Sequence, residues 1–375
     1  MTNKINSIDD EIMRLFAERM ELCAESARER VSAGQTPTDM IGERDKEKHL
    51  RTVAGEKLSG YASTLYSTVF ELGRAYQGAV VKSGTPLCDK ISASIKETPQ
   101  LFPESAVVAC QGTEGAYSQI AAEKIFEHPD IVYFKTFEGA VSAVEKGLCS
   151  YAVLPLENST AGSVNAVYDL MMQHHFSIVR SARLKVDHCL LAKPGTKLSD
   201  VKEVYSHEQA LHQCAEYLKG LPGVKITDCE NTAAAARMIA ESDRTDVAAL
   251  SSRSCAELYG LEILAEAVQD KQNNYTRFIC VSKNLEIYPG ADHTSLMLTT
   301  PNRPGSLYRV MARINALNIN LTKLESRPLP EHEFDFMFYF DLDTPVYSPR
   351  FSQLIGELEG MCETFQYFGS YSEIV

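Results

Sequence analysis

Residues 105–160, SAVVACQGTEGAYSQIAAEKIFEHPDIVYFKTFEGAVSAVEKGLCSYAVLPLENST, decide the fold. The short apolar runs AVVAC, IVYF and YAVLPL read as strands, and between them SQIAAEKIFE and TFEGAVSAVEK repeat apolar residues at helical spacing. Such alternation predicts an α/β protein with largely parallel sheets. Downstream, SVNAVYDLMM, HEQALHQCAEYL and NTAAAARMIAES read as helices, and FSIVRSARL, DHCLLA, VKEVYS, KITDC, VAALSS and TRFICVS as strands. A change of pattern near 176–192 predicts two lobes around a cleft, the usual place for a small ligand.

Toward the N-terminus, Ile5, Ile8, Ile12, Leu15, Arg19, Leu22 and Ser26 recur at alternating steps of three and four, a helical seam. A second, highly charged helix can be capped by Asp39. A third, from about 59 to 82, carries Tyr61, Leu65, Val69, Leu72 and Tyr76 on one stripe. Residues 1–83 thus predict an all-α domain, small enough to favour dimerisation along its first helix. Residues 84–104 hold three prolines and no clear period, and read as a linker. From 293 to 375 the order strand–helix–strand–strand–helix–strand predicts a ferredoxin-like βαββαβ module. In its FDFMFYFDLD strand, Phe334, Phe336, Phe338, Phe340 and Leu342 should face the core, leaving the other face to solvent or a partner subunit.

The chain has 375 residues and a net charge of −13, which argues against nucleic acid or an anionic membrane surface as partner. Residues 1–83 are nearly neutral, so the acidic excess lies downstream. No apolar run approaches the ~18 residues of a membrane span, and the N-terminus lacks a signal-peptide core, so a cytoplasmic location is expected. The ten cysteines form no CxxC pair and the nine histidines no metal-ligand spacing, so no metal is expected.

Five features could carry chemistry. Arg19 takes a seam position meant for an apolar residue; it is either a carboxylate-binding arginine or one paired with a glutamate. Glu157, Asn158, Ser159 and Thr160 end an apolar strand where α/β sheets bind ligands, although a helix-capping turn would look alike. The loop from Gly112 to Ser118 could nest a small anion but has neither dinucleotide nor P-loop spacing. Ser206-His207-Glu208-Gln209, with Gln213 beyond, suggests polar ligand contacts and a cap rather than a Ser–His nucleophile. Asn273 to Phe278 places Thr276 and Arg277 at a strand start, either as readers of hydroxyl and carboxylate or as an exposed loop.

The series GTEGAYS, PLENSTAGSV, DHCLLAK, SHEQALHQC, NTAAAA, AALSSRSCAELYGL and NNYTRF resembles, in order and spacing, the catalytic domain of prephenate dehydratases over about 105–285. NRPGSLYRVMARINALNINLTKLESRP resembles the regulatory ACT domain of these enzymes, and residues 1–83 the helical chorismate mutase domain. The chain thus resembles the bifunctional chorismate mutase/prephenate dehydratases. The resemblance implies a cofactor-free enzyme, with a periplasmic-binding-protein-like two-lobed catalytic domain, that takes the ring hydroxyl and CO₂ from prephenate. Thr276 is then the essential threonine, Arg277 the carboxylate clamp, Phe278 its neighbour in the motif, and Glu157, Asn158, Ser159, Ser206 and Gln213 cleft residues. Glu208 departs from the family, which has proline there. Feedback phenylalanine would bind at Asn302, Gly305, Ser306, Leu307, Glu325, Ser326 and Arg327 between subunits of a dimer or tetramer. For chorismate, the resemblance implies Arg19, Arg30 and Gln77, with Arg44 and Asp45 joining if the loop after Gly34 is long. With a shorter loop Gly42 takes the arginine's place, and the helical domain could serve dimerisation instead.

Overall fold

A computed structural model describes residues 2–81, 85–329 and 335–375. Lys82 at the end of the third predicted helix, and Phe334 of the aromatic strand, lie outside these residues. By contacts the chain forms two compact units: the chain up to Ala93 with Asp292–Tyr367, and Ser94–Ala291 with Phe368–Val375.

The helical region contains α1 (Thr2–Ser32), α2 (Met40–Ala54) and α3 (Ser59–Val81). Asp39 caps α2 by accepting from the Gly42 N–H at 3.0 Å. Only the C-terminal part of α1 is covered, at Ala24 and Ala27; Ile5, Ile8, Ile12, Leu15 and Leu22 stay exposed. The segment read as a linker forms a helix, α4 (Pro86–Glu97), with proline in its first turn. Its inward residues Leu87, Ile91 and Ile95 fall four apart, a period hidden among the prolines.

The α/β region has two sheets. The first contains β1 (Ser105–Gln111), β2 (His128–Phe134), β3 (Tyr151–Asn158), β4 (Gly162–Ser163) and β5 (Ser177–Lys185), with α5 (Tyr117–Ile125), α6 (Phe137–Glu145) and α7 (Asn165–Gln173) between them. The second contains β6 (Cys189–Ala192), β7 (Glu203–Ser206), β8 (Lys225–Asp228), β9 (Val247–Ser251) and β10 (Glu262–Ala265). Its helices are α8 (Glu208–Gln213), α9 (Ala215–Lys219), α10 (Thr232–Glu241) and α11 (Arg253–Tyr259). HEQALHQCAEYL, expected as one helix, is therefore two, meeting at Cys214. The chain then returns to the first sheet as β11 (Tyr275–Ser282), between β5 and β3 and antiparallel to both. The sheets are thus mixed rather than largely parallel, because β6 and β11, which follow the two crossings between lobes, run against their neighbours. Separate apolar cores back each lobe, one around Val108, Val153 and Phe278, another around Leu191, Ala236 and Ala249.

The C-terminal region contains β12 (His293–Thr299), α12 (Ser306–Ala316), β13 (Asn320–Pro328), β14 (Phe336–Asp343), α13 (Pro349–Met361), β15 (Thr364–Tyr371) and β16 (Glu373–Ile374). Sheet order β13-β14-β12-β15 is the βαββαβ arrangement expected of a ferredoxin-like module. On β14 the expected exposed face is not all exposed: Tyr339 and Asp341 are buried, and the Tyr339 hydroxyl lies 2.6 Å from the Asp341 carboxylate and 2.8 Å from Ser295 Oγ. A polar cluster whose members hydrogen-bond one another can be buried on a face expected to meet solvent or a partner subunit.

Helices α12 and α13 pack on α3. Arg313 of α12, 2% exposed, donates to the Glu71 carbonyl at 2.8 Å and its carboxylate at 3.0 Å, and its Nε lies 2.8 Å from Glu357 of α13. Glu71 also binds Arg74 at 2.5 Å, and Arg74 reaches Glu43 of α2 at 3.0 Å. Burial lowers the Arg313 pKa and raises those of Glu43 and Glu357.

Candidate active site

The amino acids that end β3 and begin β11 meet across one ladder. Thr276 pairs with Asn158, and Arg277 with Glu157. Successive strand residues face opposite sides, so Thr276 and Asn158 share one face and Arg277 and Glu157 the other.

The Thr276 face looks into a cavity of about 360 Å³ between the lobes. Asn158 Nδ2 donates to Thr276 Oγ1 at 2.9 Å and to Asn274 Oδ1 at 2.8 Å. Its Oδ1 accepts from the backbone N–H groups of Thr160 and Ala161 at 3.0 and 2.9 Å, which fixes the amide. Asn274 Nδ2 donates to Gln213 Oε1 at 3.0 Å, and the same oxygen meets His188 Nε2 at 2.9 Å. A continuous chain of polar groups thus runs from the first lobe to the second. Thr276 Oγ1 is an acceptor in it, and its hydroxyl proton has no acceptor among the described residues. Phe278 also lines this cavity.

His188 and Asn274 escaped the sequence reading. His188 sat inside a run read only as a strand, and Asn274 inside a motif whose weight went to Thr276 and Arg277. Both are buried, at 2% and 1% exposure. Burial holds the His188 imidazole below its ordinary pKa of 6.5, against a weaker opposite effect of Gln213, and its Nδ1 has no hydrogen-bond partner among the described residues.

No lysine or arginine lines the cavity among the described residues. The N-terminal ends of α5 and α10 reach it instead, through Ala116, Tyr117 and Ser118 and through Asn231 and Thr232. Helix N-termini carry partial positive charge and free N–H groups, suited to carboxylates. Asn231 caps α10 through Oδ1, accepting from the Ala234 N–H at 2.7 Å, while its buried Nδ2 has no partner among the described residues. An adjoining outer recess of about 460 Å³ shares His207, Gln209 and Gln213 and carries Lys271.

The remaining predicted residues lie elsewhere. Arg277 is not a clamp in this cavity: strand alternation turns it to the opposite face. There Nη1 lies 3.4 Å from Glu157, Nη2 donates to the Tyr371 hydroxyl at 2.8 Å, and Nε lies 3.3 Å from Glu373. Ser206 is fully buried in β7 and spends its hydroxyl on the Leu250 carbonyl at 2.7 Å, so it does not reach the cavity. Ser159 ties the β3 turn to the start of β11, donating to the Asn273 carbonyl at 2.7 Å and accepting from the Tyr275 N–H at 2.9 Å. Glu208 is 78% exposed and sits 3.7 Å from His212, so its charge faces solvent. The Gly115 N–H, expected in an anion nest, is taken by Gln119 Oε1 at 2.7 Å.

In the helical region Arg19 packs over the Phe70 ring and lies 3.5 Å from the Val69 carbonyl, with no carboxylate at ion-pair distance among the described residues. Gln77 is buried and donates to the Cys23 carbonyl at 3.0 Å. Arg30 holds the α1–α2 connection, donating to the Thr36 carbonyl at 2.8 Å and the Thr38 carbonyl at 3.3 Å. Arg44 and Asp45 are exposed, and Gly42 and Glu43 occupy the inward positions of α2, as the shorter-loop register requires. In the C-terminal region Asn302, Ser306 and Leu307 line a recess of about 170 Å³ with Phe336 and Phe338. Gly305 caps α12 at φ +83°, a backbone state that glycine adopts freely. Glu325, Ser326 and Arg327 lie on β13, the edge strand.

Among the described residues no group of three His, Cys, Asp or Glu is placed to hold a metal ion, and no helix is long and apolar enough to cross a membrane. All ten cysteines are free thiols.

The prephenate dehydratase family model matches residues 108–286, and the chorismate mutase type II model residues 1–78. A bifunctional chorismate mutase/prephenate dehydratase of Enterobacter agglomerans is 31% identical over 99% of this chain and 95% of its own length. An arogenate dehydratase/prephenate dehydratase of Arabidopsis thaliana is 37% identical over 80% of this chain and 81% of its own. The crystal structure of prephenate dehydratase in complex with L-Phe from Arthrobacter aurescens superposes with a TM-score of 0.65 at 28% identity, covering 71% of this chain and 90% of that one. By sequence along its whole length, the chain belongs to the bifunctional chorismate mutase/prephenate dehydratase family.

Proposed function

We propose that the cavity between the α/β lobes converts prephenate to phenylpyruvate, water and CO₂. The observation that carries this is the Thr276 hydroxyl, fixed by Asn158 and left with a proton to donate. As the ring carboxylate leaves as CO₂, its electron pair forms the new ring double bond and the C–O bond to the ring hydroxyl breaks. The departing hydroxide needs a proton, and Thr276 donates a hydrogen bond to it, relaying one proton from solvent. Aromatisation supplies the driving force, so positioning and charge placement are what the protein must add, and no cofactor is needed. Asn231 and the N-termini of α5 and α10 would hold the carboxylates.

The helical region would rearrange chorismate to prephenate. Its support is the family match, the bifunctional relatives and Arg19, a half-buried cation with no carboxylate at ion-pair distance among the described residues. The C-terminal module would act as an ACT domain that binds phenylalanine at the recess beside Gly305, with Glu325 to Arg327 on the open β13 edge facing a second copy. The exposed apolar stripe of α1 supplies a further self-association surface, and we assign the protein to the cytoplasm as a homo-oligomer.

The test supplies chorismate, prephenate and arogenate separately, with and without phenylalanine. Phenylpyruvate should form from prephenate and from chorismate, and phenylalanine should suppress both. Turnover of arogenate with prephenate untouched would replace the proposed substrate by its amine analogue.

A further inference from the structure

The last eight residues, Phe368–Val375, belong to the catalytic unit. They comprise the end of β15 and the short strand β16, and β16 adds to the first sheet beside β5. Phe368 is buried beside Phe176, with ring centroids 5.8 Å apart. Gly369, at φ +140°, passes so close to Ile178 that a Cβ would clash with its carbonyl. The Ser181 N–H donates to the Ser372 carbonyl at 3.1 Å, and β16 then pairs in parallel with β5, Glu373 opposite Ser181.

Two side chains of this segment meet the back of the proposed active site. The Tyr371 hydroxyl accepts from Arg277 Nη2 at 2.8 Å, and Glu373 lies 3.3 Å from Arg277 Nε. Glu373 is itself held from the outside by Arg183 at 2.6 Å. Arg277 reaches Glu157, so the guanidinium ties together β3 and β11 one residue away from Asn158 and Thr276. At this point the β11–β3 register shifts between Arg277 and Phe278, so the ladder alone does not fix the pair. We propose that Tyr371 and Glu373 are positioning residues of the dehydratase reaction: through Arg277 and Glu157 they set the spacing of Thr276 and Asn158 from the far side of the sheet. Neither residue lines the cavity. The chain enters this segment directly from Tyr367 of the ferredoxin-like unit, so the segment is also a covalent route by which a change there reaches the catalytic strand.

The proposal rests on the dehydratase reading, and its test separates the two. Tyr371→Phe, Glu373→Ala and Glu373→Asp are prepared in the full-length chain. Expected is a fall in kcat for prephenate of about tenfold in Glu373→Ala, a smaller one in Tyr371→Phe, and partial recovery in Glu373→Asp, with KM within about twofold of wild type. Hydrogen–deuterium exchange of the 274–279 backbone should rise in Glu373→Ala. Wild-type kcat in both Glu373→Ala and Tyr371→Phe overturns the proposal. So does an equal loss in Glu373→Ala and Glu373→Asp with Tyr371→Phe fully active, which a merely structural role would give. If the wild-type protein leaves prephenate untouched, the dehydratase reading fails on its own. The exchange measurement then decides, and unchanged protection of 274–279 in Glu373→Ala overturns the positioning role.

Discussion

The α/β cavity and the interior of the helical unit are both polar, but they settle their polarity differently. In the polar chain at the cavity Asn158, Asn274, Gln213 and His188 are amides and an imidazole, each able to donate and to accept, so the chain of bonds can be closed and still leave a donor over. Thr276 and Asn231 Nδ2 are those donors. In the unit that holds the helices α1 to α3, two arginines, Arg74 and Arg313, are shared among three carboxylates, Glu43, Glu71 and Glu357, so neither cation is left over for an anionic ligand. Arg19, outside that network, is the exception. A neutral network suits a site that must accept a dianion without a counter-charge already in place. A charged network suits helices that must stay in one register.

Breaking the charged network should produce the largest effect. Arg313→Ala leaves the half-buried Glu357 without its cation and Glu71 with Arg74 alone, and should destabilise this unit by about 3–5 kcal/mol, measured by chemical denaturation followed by helical circular dichroism. A loss below about 1 kcal/mol would mean that solvent reaches these charges. Thr276→Ala removes the donor from the neutral network and should lower kcat for prephenate at least about a hundredfold, the lower range for a lost proton donor, with the melting temperature nearly unchanged. A variant with near-full phenylpyruvate formation would sink the role of that hydroxyl. Within the helical region the contrast sharpens between two arginines. Arg19→Ala should abolish chorismate rearrangement, whereas Arg44→Ala should alter it by less than about twofold, since an exposed side chain away from the site contributes little.

The smallest effect is a pH dependence. Because the folded His188 pKa is lowered, the unfolded chain binds its proton first as pH falls through about 6.5. Stability should therefore decline on acidification from pH 7.5, by at most about 1.4 kcal/mol per pH unit from this group, and level off below the folded value. His188→Asn should flatten that part of the profile in denaturation at a series of pH values.

The alternation of β1 to β5, the change of pattern before the second lobe and the βαββαβ order were legible because hydrophobic period depends on local spacing. Thr276, Asn158 and Gln213 were legible as polar residues at strand and helix ends. Arg277 was misplaced although the period-two rule was available: a neighbour of Thr276 in a strand cannot share its face. Ser206 looked like a cleft residue because polarity at a strand end says nothing about which carbonyl lies next to it. Tyr371 and Glu373 carried no local signal at all, since their partner lies 94 residues away in sequence for Tyr371.

The chain passes between the lobes twice, at 185–189 and 265–275. These crossings are hydrogen-bonded to each other, the Val186 N–H to the Asn274 carbonyl at 2.8 Å and the Val268 N–H to the His188 carbonyl at 2.9 Å. Any change in the angle between lobes must be absorbed in this double hinge, and two members of the polar chain, His188 at the cavity and Asn274 at the outer recess, sit within it. The cleft cannot swing open without loosening the groups that order it, so the hinge and the site keep one clock.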